Sequence, residues 1–278
     1  MIKKQTILAL LIIANITQAF SQNFKIRQSM ETAEQRQEPA QFQVTFPKNA
    51  DASWLVNVGA SLAIKTNSTS FLSKLSGEYH KNTLTEKKQN NLNIGYGYTW
   101  LIGGKKLLWF STGDAKYVYD EIKKKSSIAS NILFTFYRDG SKLNWNTYTI
   151  SKNARSSLFL SLFAGTQLQQ IFQAKNDSAE GFILRPLFNA MMNYDFNRKR
   201  DSVAVVRLGV NYIGRKDAVN TTKYNEGYTN FFKAYLDYFF VYTAAIKVSL
   251  GVSFNYGSDP MRGLDKQQYW LLSLNLIK

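Results

Sequence analysis

The sequence predicts an all-β chain: a closed antiparallel transmembrane β-barrel of about 12 strands, preceded by a signal peptide and a short polar N-terminal segment. Three observations predict it. Apolar and polar residues alternate with period two from Ser53 to the C-terminus. Beyond residue 21 there is no apolar run long enough for a transmembrane helix. Aromatic residues fall near the ends of the alternating segments, on their apolar face.

Residues 1–21 read as a signal peptide. Lys3 and Lys4 form a positive start, Ile7 to Ile16 is apolar apart from Asn15, and Ala19-Phe20-Ser21 offers small residues before a cut ahead of Gln22. An uncleaved anchor is the alternative, disfavoured because the apolar run is too short to span a bilayer. Residues 22–52 are polar, rich in Gln and Glu, with one alternating stretch of Phe42, Val44 and Phe46. They read as a tail or a loosely held extended segment.

Residues 53–278 form the barrel. In 91–100, Leu92, Ile94, Tyr96, Tyr98 and Trp100 face one side, while Asn91, Asn93, Gly95, Gly97 and Thr99 face the other. A period of two belongs to a strand; a helix would scatter both sets around its circumference. Val206, Leu208, Val210 and Tyr212 likewise oppose Arg207, Gly209 and Asn211, and Trp270, Leu272, Leu274 and Leu276 oppose Ser273 and Asn275. The expected spans are 53–64, 71–80, 91–101, 107–119, 127–138, 142–150, 156–169, 181–196, 202–213, 229–240, 244–256 and 268–278. Pro186, inside the eighth span, removes a ladder donor and marks an edge or bulge.

A soluble sandwich also alternates. The polar face here carries Asn, Ser, Gly and Gln, which suits a hydrated, crowded interior, whereas water-facing strands favour Lys, Glu and Thr. Trp54, Trp100, Trp109, Tyr117, Tyr194, Tyr256 and Trp270 sit where interfacial girdles belong. Numbered from a periplasmic N-terminus, the long connections 170–180, 214–228 and 257–267 fall outside the cell, and 80–90, 120–126 and 197–201 fall on the periplasmic side.

With its leader, this strand texture and the terminal strand Tyr269-Trp270-Leu271-Leu272-Ser273-Leu274-Asn275-Leu276-Ile277-Lys278, the chain resembles Gram-negative outer-membrane β-barrel proteins, most like porin-like barrels of the Bacteroidota type. The resemblance implies the outer membrane as location, surrounding lipid, and insertion by the barrel assembly machinery, which reads the last strand.

The chain has no cysteine, so disulfides, thiolate metal sites and a lipidated cysteine are excluded. Its 35 basic and 19 acidic residues give +16; removing Lys3 and Lys4 leaves 33 − 19, or +14. Export directs such a charge to anionic solutes or lipid, not to nucleic acid.

The face assignments turn Lys74, Lys116, Arg185, Arg207, Lys233 and Lys247 inward, with Glu78, Asp114, Asp195 and Asp237. Inward bases favour small anionic solutes in a wet pore. Paired with the four carboxylates, the same side chains would instead fill a narrow lumen. His80, the only histidine, invites a Ser–His hydrolase, yet Ser76 on the same strand face lies about 13 Å away at about 3.3 Å per residue, and a solvated turn is the expected place for His80. No zinc, calcium or phosphate-loop motif occurs, and no cofactor is expected. The functional expectation is a non-enzymatic outer-membrane barrel, either a small channel with a basic lumen or a structural or adhesion barrel. The alternatives are a secreted soluble β-rich ligand-binding module and an outer-membrane lipid-modifying enzyme.

Overall fold

The computed structural model describes residues 24–27, 41–45, 53–64, 66, 68–83, 88–103, 107–138, 145–151, 155–175, 179–196, 205–223, 227–242, 247–259 and 264–277. The expected leader, 1–21, lies outside the described residues. The described residues form one sheet of fifteen strands in which every pairing is antiparallel.

The strands are β1 (Phe24–Arg27), β2 (Gln41–Thr45), β3 (Ser53–Ile64), β4 (Phe71–Asn82), β5 (Gln89–Gly103), β6 (Leu107–Asp120), β7 (Lys125–Arg138), β8 (Tyr148–Ile150), β9 (Ser157–Gln173), β10 (Gly181–Phe196), β11 (Val206–Lys216), β12 (Val219–Asn220), β13 (Tyr228–Tyr242), β14 (Lys247–Asp259) and β15 (Leu264–Ile277). The main path runs β1-β3-β4-β5-β6-β7-β9-β10-β11-β13-β14-β15, with β2 beside β3, β8 beside β9 and β12 beside β10. From β3 to β15 each long strand pairs with the next long strand in sequence, as hairpin-linked antiparallel strands do. Among the described residues no helix is long and apolar enough to cross a membrane.

The faces are inverted relative to a water-soluble protein. Trp270 is 71% exposed, Leu272 66% and Ile94 60%. Tyr96, Leu208 and Leu274 also lie outside. Asn91, Asn93, Ser127, Asn131, Gln167 and Asn193, on the opposite face of their strands, are buried. Period-two alternation therefore sorts the residues as the sequence predicts, with the apolar face outward.

Three expectations are corrected. Within the expected span 142–150, of which 145–150 are described, only β8 is a strand, pairing Tyr148–Ile150 with Ser157–Phe159, while β7 pairs directly with β9. Trp145 stacks at a tilt on Phe136, and Asn146 donates to Thr135 and to the Phe136 carbonyl, so side-chain contacts hold this segment beside the sheet. Second, losing that crossing flips the parity of every later connection. The links after β9, β11 and β14 leave from the same end of the sheet as those after β4 and β6, so the expected division into long and short sides disappears. Third, of the two readings of 22–52, the tail does not fit its described residues, because β1 and β2 are extended and both pair with β3.

Pro186 falls where the partner of β10 changes. Ile183 and Leu184 pair with β12, and from Leu187 onward the partner is β11. The missing donor sits at a break in the ladder, where it costs least.

Candidate functional site: a charge-paired interior

Among the described residues, ion pairs on the inner face fall into four groups. On β4–β6, Lys116 Nζ lies 3.0 and 3.1 Å from the two Glu78 carboxylate oxygens and 3.9 Å from Asp114, and each of these side chains is no more than 2% exposed. Asn93 Nδ2 donates to Glu78 Oε2 at 3.1 Å. Lys116 reaches Glu78 by crossing the strand between them at Gly95, its direct partner on β5. A Cβ on Gly95 would come within 2.7 Å of Lys116 Cγ and of the Ala115 carbonyl oxygen, so only glycine leaves the passage open.

The second group joins β9, β10 and the β11–β12 link. Arg185 Nε donates to Asp217 at 2.7 Å, and its Nη1 donates to Gln167 at 3.2 Å and Gln169 at 3.0 Å. In the third, Arg207 donates to Asp195 at 2.8 Å and stands opposite Asp237 in the β11–β13 register. Arg207 also lies 5.2 Å over the Phe239 ring. In the fourth, Arg215 Nη2 donates to Asp259 at 2.9 Å, both side chains being at most 1% exposed.

The interior also holds an apolar cluster. Leu133, Phe163, Leu187, Ile213 and Phe231 form one buried cluster drawn from β7, β9, β10, β11 and β13. Leu133 is 0% exposed. The registers Leu133↔Gly165↔Leu187 and Ile213↔Phe231 place them in two adjacent rows. Tyr235 adds a brace. Its ring covers Gly209, where a Cβ would sit 2.2 Å from Tyr235 Cζ, and its hydroxyl donates to Asn193 across that gap.

Of the candidate residues, Lys116, Arg185, Lys233, Glu78, Asp114 and Asp195 are buried on the inner face. Arg207 and Asp237 are half-buried on it, and Lys74 is half-buried on the face shared with Ser76 and Glu78. Lys233 Nζ lies 5.4 Å over the Tyr235 ring. The Lys247 side chain lies outside the described residues. Among the described residues, Lys116 meets Glu78 and Asp114, Arg185 meets Asp217, and Arg207 meets Asp195.

His80 is a correction. It sits inside β4 and not at a solvated turn, and it is 1% exposed. Its Nδ1 is 3.1 Å from Asn57 Oδ1 and its Nε2 is 3.4 Å from Glu78 Oε2. Ser76 instead donates to the Gly95 carbonyl at 3.4 Å. Among the described residues no group of three or more His, Asp or Glu could hold a metal ion.

Sequence reasoning missed Arg215, Asp217 and Asp259. Arg215 and Asp259 continue the inward parity of Arg207 and Asn255, but the expected strands stopped at 213 and 256, short of both. Asp217 lies just past the end of β11.

No family model matches the chain, and no curated protein matches it. Among solved structures, "Crystal structure of Pseudomonas aeruginosa OccD3 (OpdP)" is similar at 10% identity with a TM-score of 0.34. That likeness covers 92% of this chain and 65% of the other, so the present chain spans less than two thirds of its length.

Proposed function

We propose that the protein is an outer-membrane β-barrel of a Gram-negative bacterium, exported with a cleaved leader, whose lumen is shut at rest by its own side chains. The observation that carries this reading is the polarity of the two faces. A soluble monomer rarely exposes a contiguous apolar patch above a few hundred Å². Here Leu72, Ile94, Trp100, Trp109, Leu208 and Leu274, from strands all round the sheet, are each 44% exposed or more. Lipid is the solvent that suits such a surface, and a polar centre suits a barrel whose backbone is paired internally.

The shut lumen is supported by burial and pairing together. Arg185, Arg207, Arg215 and Lys116 each hold a carboxylate within 3.0 Å, so these four cations are neutralised and do not line a path for anions as free charges. The Leu133–Phe231 cluster adds apolar bulk where a conducting pore would hold water. A structural or adhesion barrel fits these features better than an open anion channel. A non-enzymatic role is supported by His80, whose ring nitrogens face Asn57 and Glu78 and not a serine.

Membrane fractionation followed by detergent extraction tests the location. The protein is expected in the outer-membrane fraction, with faster gel migration unheated than boiled. Recovery in aqueous buffer would refute the reading and favour the soluble binding module. Planar-bilayer recording tests the lumen: steady ion current from the unmodified protein would show that it is open.

A further inference from the structure

We propose that β1 and β2 are two halves of the barrel's twelfth stave, so that the chain's own N-terminal segment closes the wall between β3 and β15. The inference rests on the barrel reading above and adds which residues complete it. Eleven strands of eleven residues or more, β3–β7, β9–β11 and β13–β15 with β8 and β12 set aside, form the continuous wall. Each runs antiparallel to its neighbour, so with an odd count the first and last, β3 and β15, run the same way. Direct closure of β3 on β15 would introduce one parallel seam into an otherwise antiparallel wall.

The outer edge of β3 is taken in a different manner. Phe24 to Arg27 pair with Leu62 to Gly59, and Gln41 to Thr45 pair with Asn57 to Ser53. The two short strands thus run collinearly and antiparallel along one edge, with only Val58 of β3 between them. On its far side β2 has β15 alongside, and β15 makes no comparable approach to β3. A strand antiparallel to β3 is also antiparallel to β15, so β2 fits both neighbours without breaking the alternation.

The physics demands such a filler. An open strand edge in hydrocarbon leaves backbone N–H and C=O groups unpaired, each costing several kcal/mol, which is why spanning sheets close. The stave restores a total of twelve with a different membership from the one the periodicity suggests: 142–150 drops out and the N-terminal segment enters. An even count also brings the start of β1 and the end of β15 to the same rim.

The chain has no cysteine, so engineered pairs report only on themselves. The test expresses the full-length protein in the outer membrane with Gln43→Cys combined singly with cysteine at each position from Lys266 to Leu272. Gln43→Cys/Leu55→Cys, directly paired across β2 and β3, is the control. The expected result is a reductant-sensitive intramolecular crosslink in the control and in at least one β15 combination, each in protein that keeps heat-modifiable migration. Control crosslinking with none along β15 in heat-modifiable protein overturns the stave and leaves the barrel standing. A missing control crosslink in heat-modifiable protein overturns it too, because β2 is then not seated on β3. If the parent protein is not heat-modifiable, the barrel reading itself has failed and the stave falls with it.

Discussion

Replacing Lys116 by methionine keeps most of the side-chain volume and removes the charge that faces Glu78. In the folded protein the ammonium lies 3.0 and 3.1 Å from both Glu78 oxygens, and both side chains are 1% exposed. Removing one partner of a buried pair costs about 3–5 kcal/mol, because the remaining charge has lost its counter-ion without regaining water. Asn93 still donates to Glu78, and His80 still stands 3.4 Å away, which puts the cost at the lower end, about 3 kcal/mol. That is about two powers of ten in the folding equilibrium. Lys116→Met/Glu78→Gln leaves no stranded carboxylate at Glu78, and a well-packed replacement of a buried pair is often neutral or stabilising. The double variant should therefore recover most of the loss. The assay is a urea titration of protein refolded into bilayers, followed by tryptophan fluorescence and by the unheated gel form. The reasoning is refuted if Lys116→Met unfolds within about 1 kcal/mol of the parent, or if the double variant is less stable than the single one.

Three further outcomes follow from the faces. Ile94→Lys puts a charge on the outer face and should cost about 2–4 kcal/mol if its site lies near the bilayer midplane, read in the same titration; a neutral effect would count against lipid contact. Leu133→Ala, in the inner cluster, should cost about 2–5 kcal/mol, and the same variant tests the shut lumen, since added bilayer conductance would identify the cluster as the constriction. Gly209→Ala would force its Cβ against Tyr235 and Asn193, costing about 1–3 kcal/mol, and the same substitution made in a Tyr235→Ala background should cost clearly less; an equal cost in the two backgrounds would show that the ring is not the obstacle.

Much of the wall was legible in the sequence because a strand writes its orientation every second residue. Leu208 outward and Arg207 inward, or Tyr96 outward and Gly95 inward, are fixed once the period is recognised. Membership in the wall was less legible. Residues 142–150 hold apolar residues enough to suggest a strand, yet the β7–β9 pairing bypasses them. The alternation of Phe42, Val44 and Phe46 was visible, but nothing local says that Gln41–Thr45 will pair with Ser53–Asn57. Which inward charges meet was hidden too. Lys116 and Glu78 are 38 positions apart on strands that do not touch, and the clue was Gly95, whose missing side chain becomes meaningful only when three strands are aligned.

That glycine also acts as a proofreading device. Sliding β6 by one residue against β5 would turn the Lys116 ammonium out onto the apolar outer face and bring Asp114 and Asp120 with it, so a misaligned hairpin carries three misplaced charges. Sliding it by two toward the other end would set Lys116 over Asn93, whose side chain blocks the crossing that Gly95 leaves clear. The notch and the lysine thus make these neighbouring alignments unfavourable within the β5–β6 hairpin itself, whatever the rest of the sheet does.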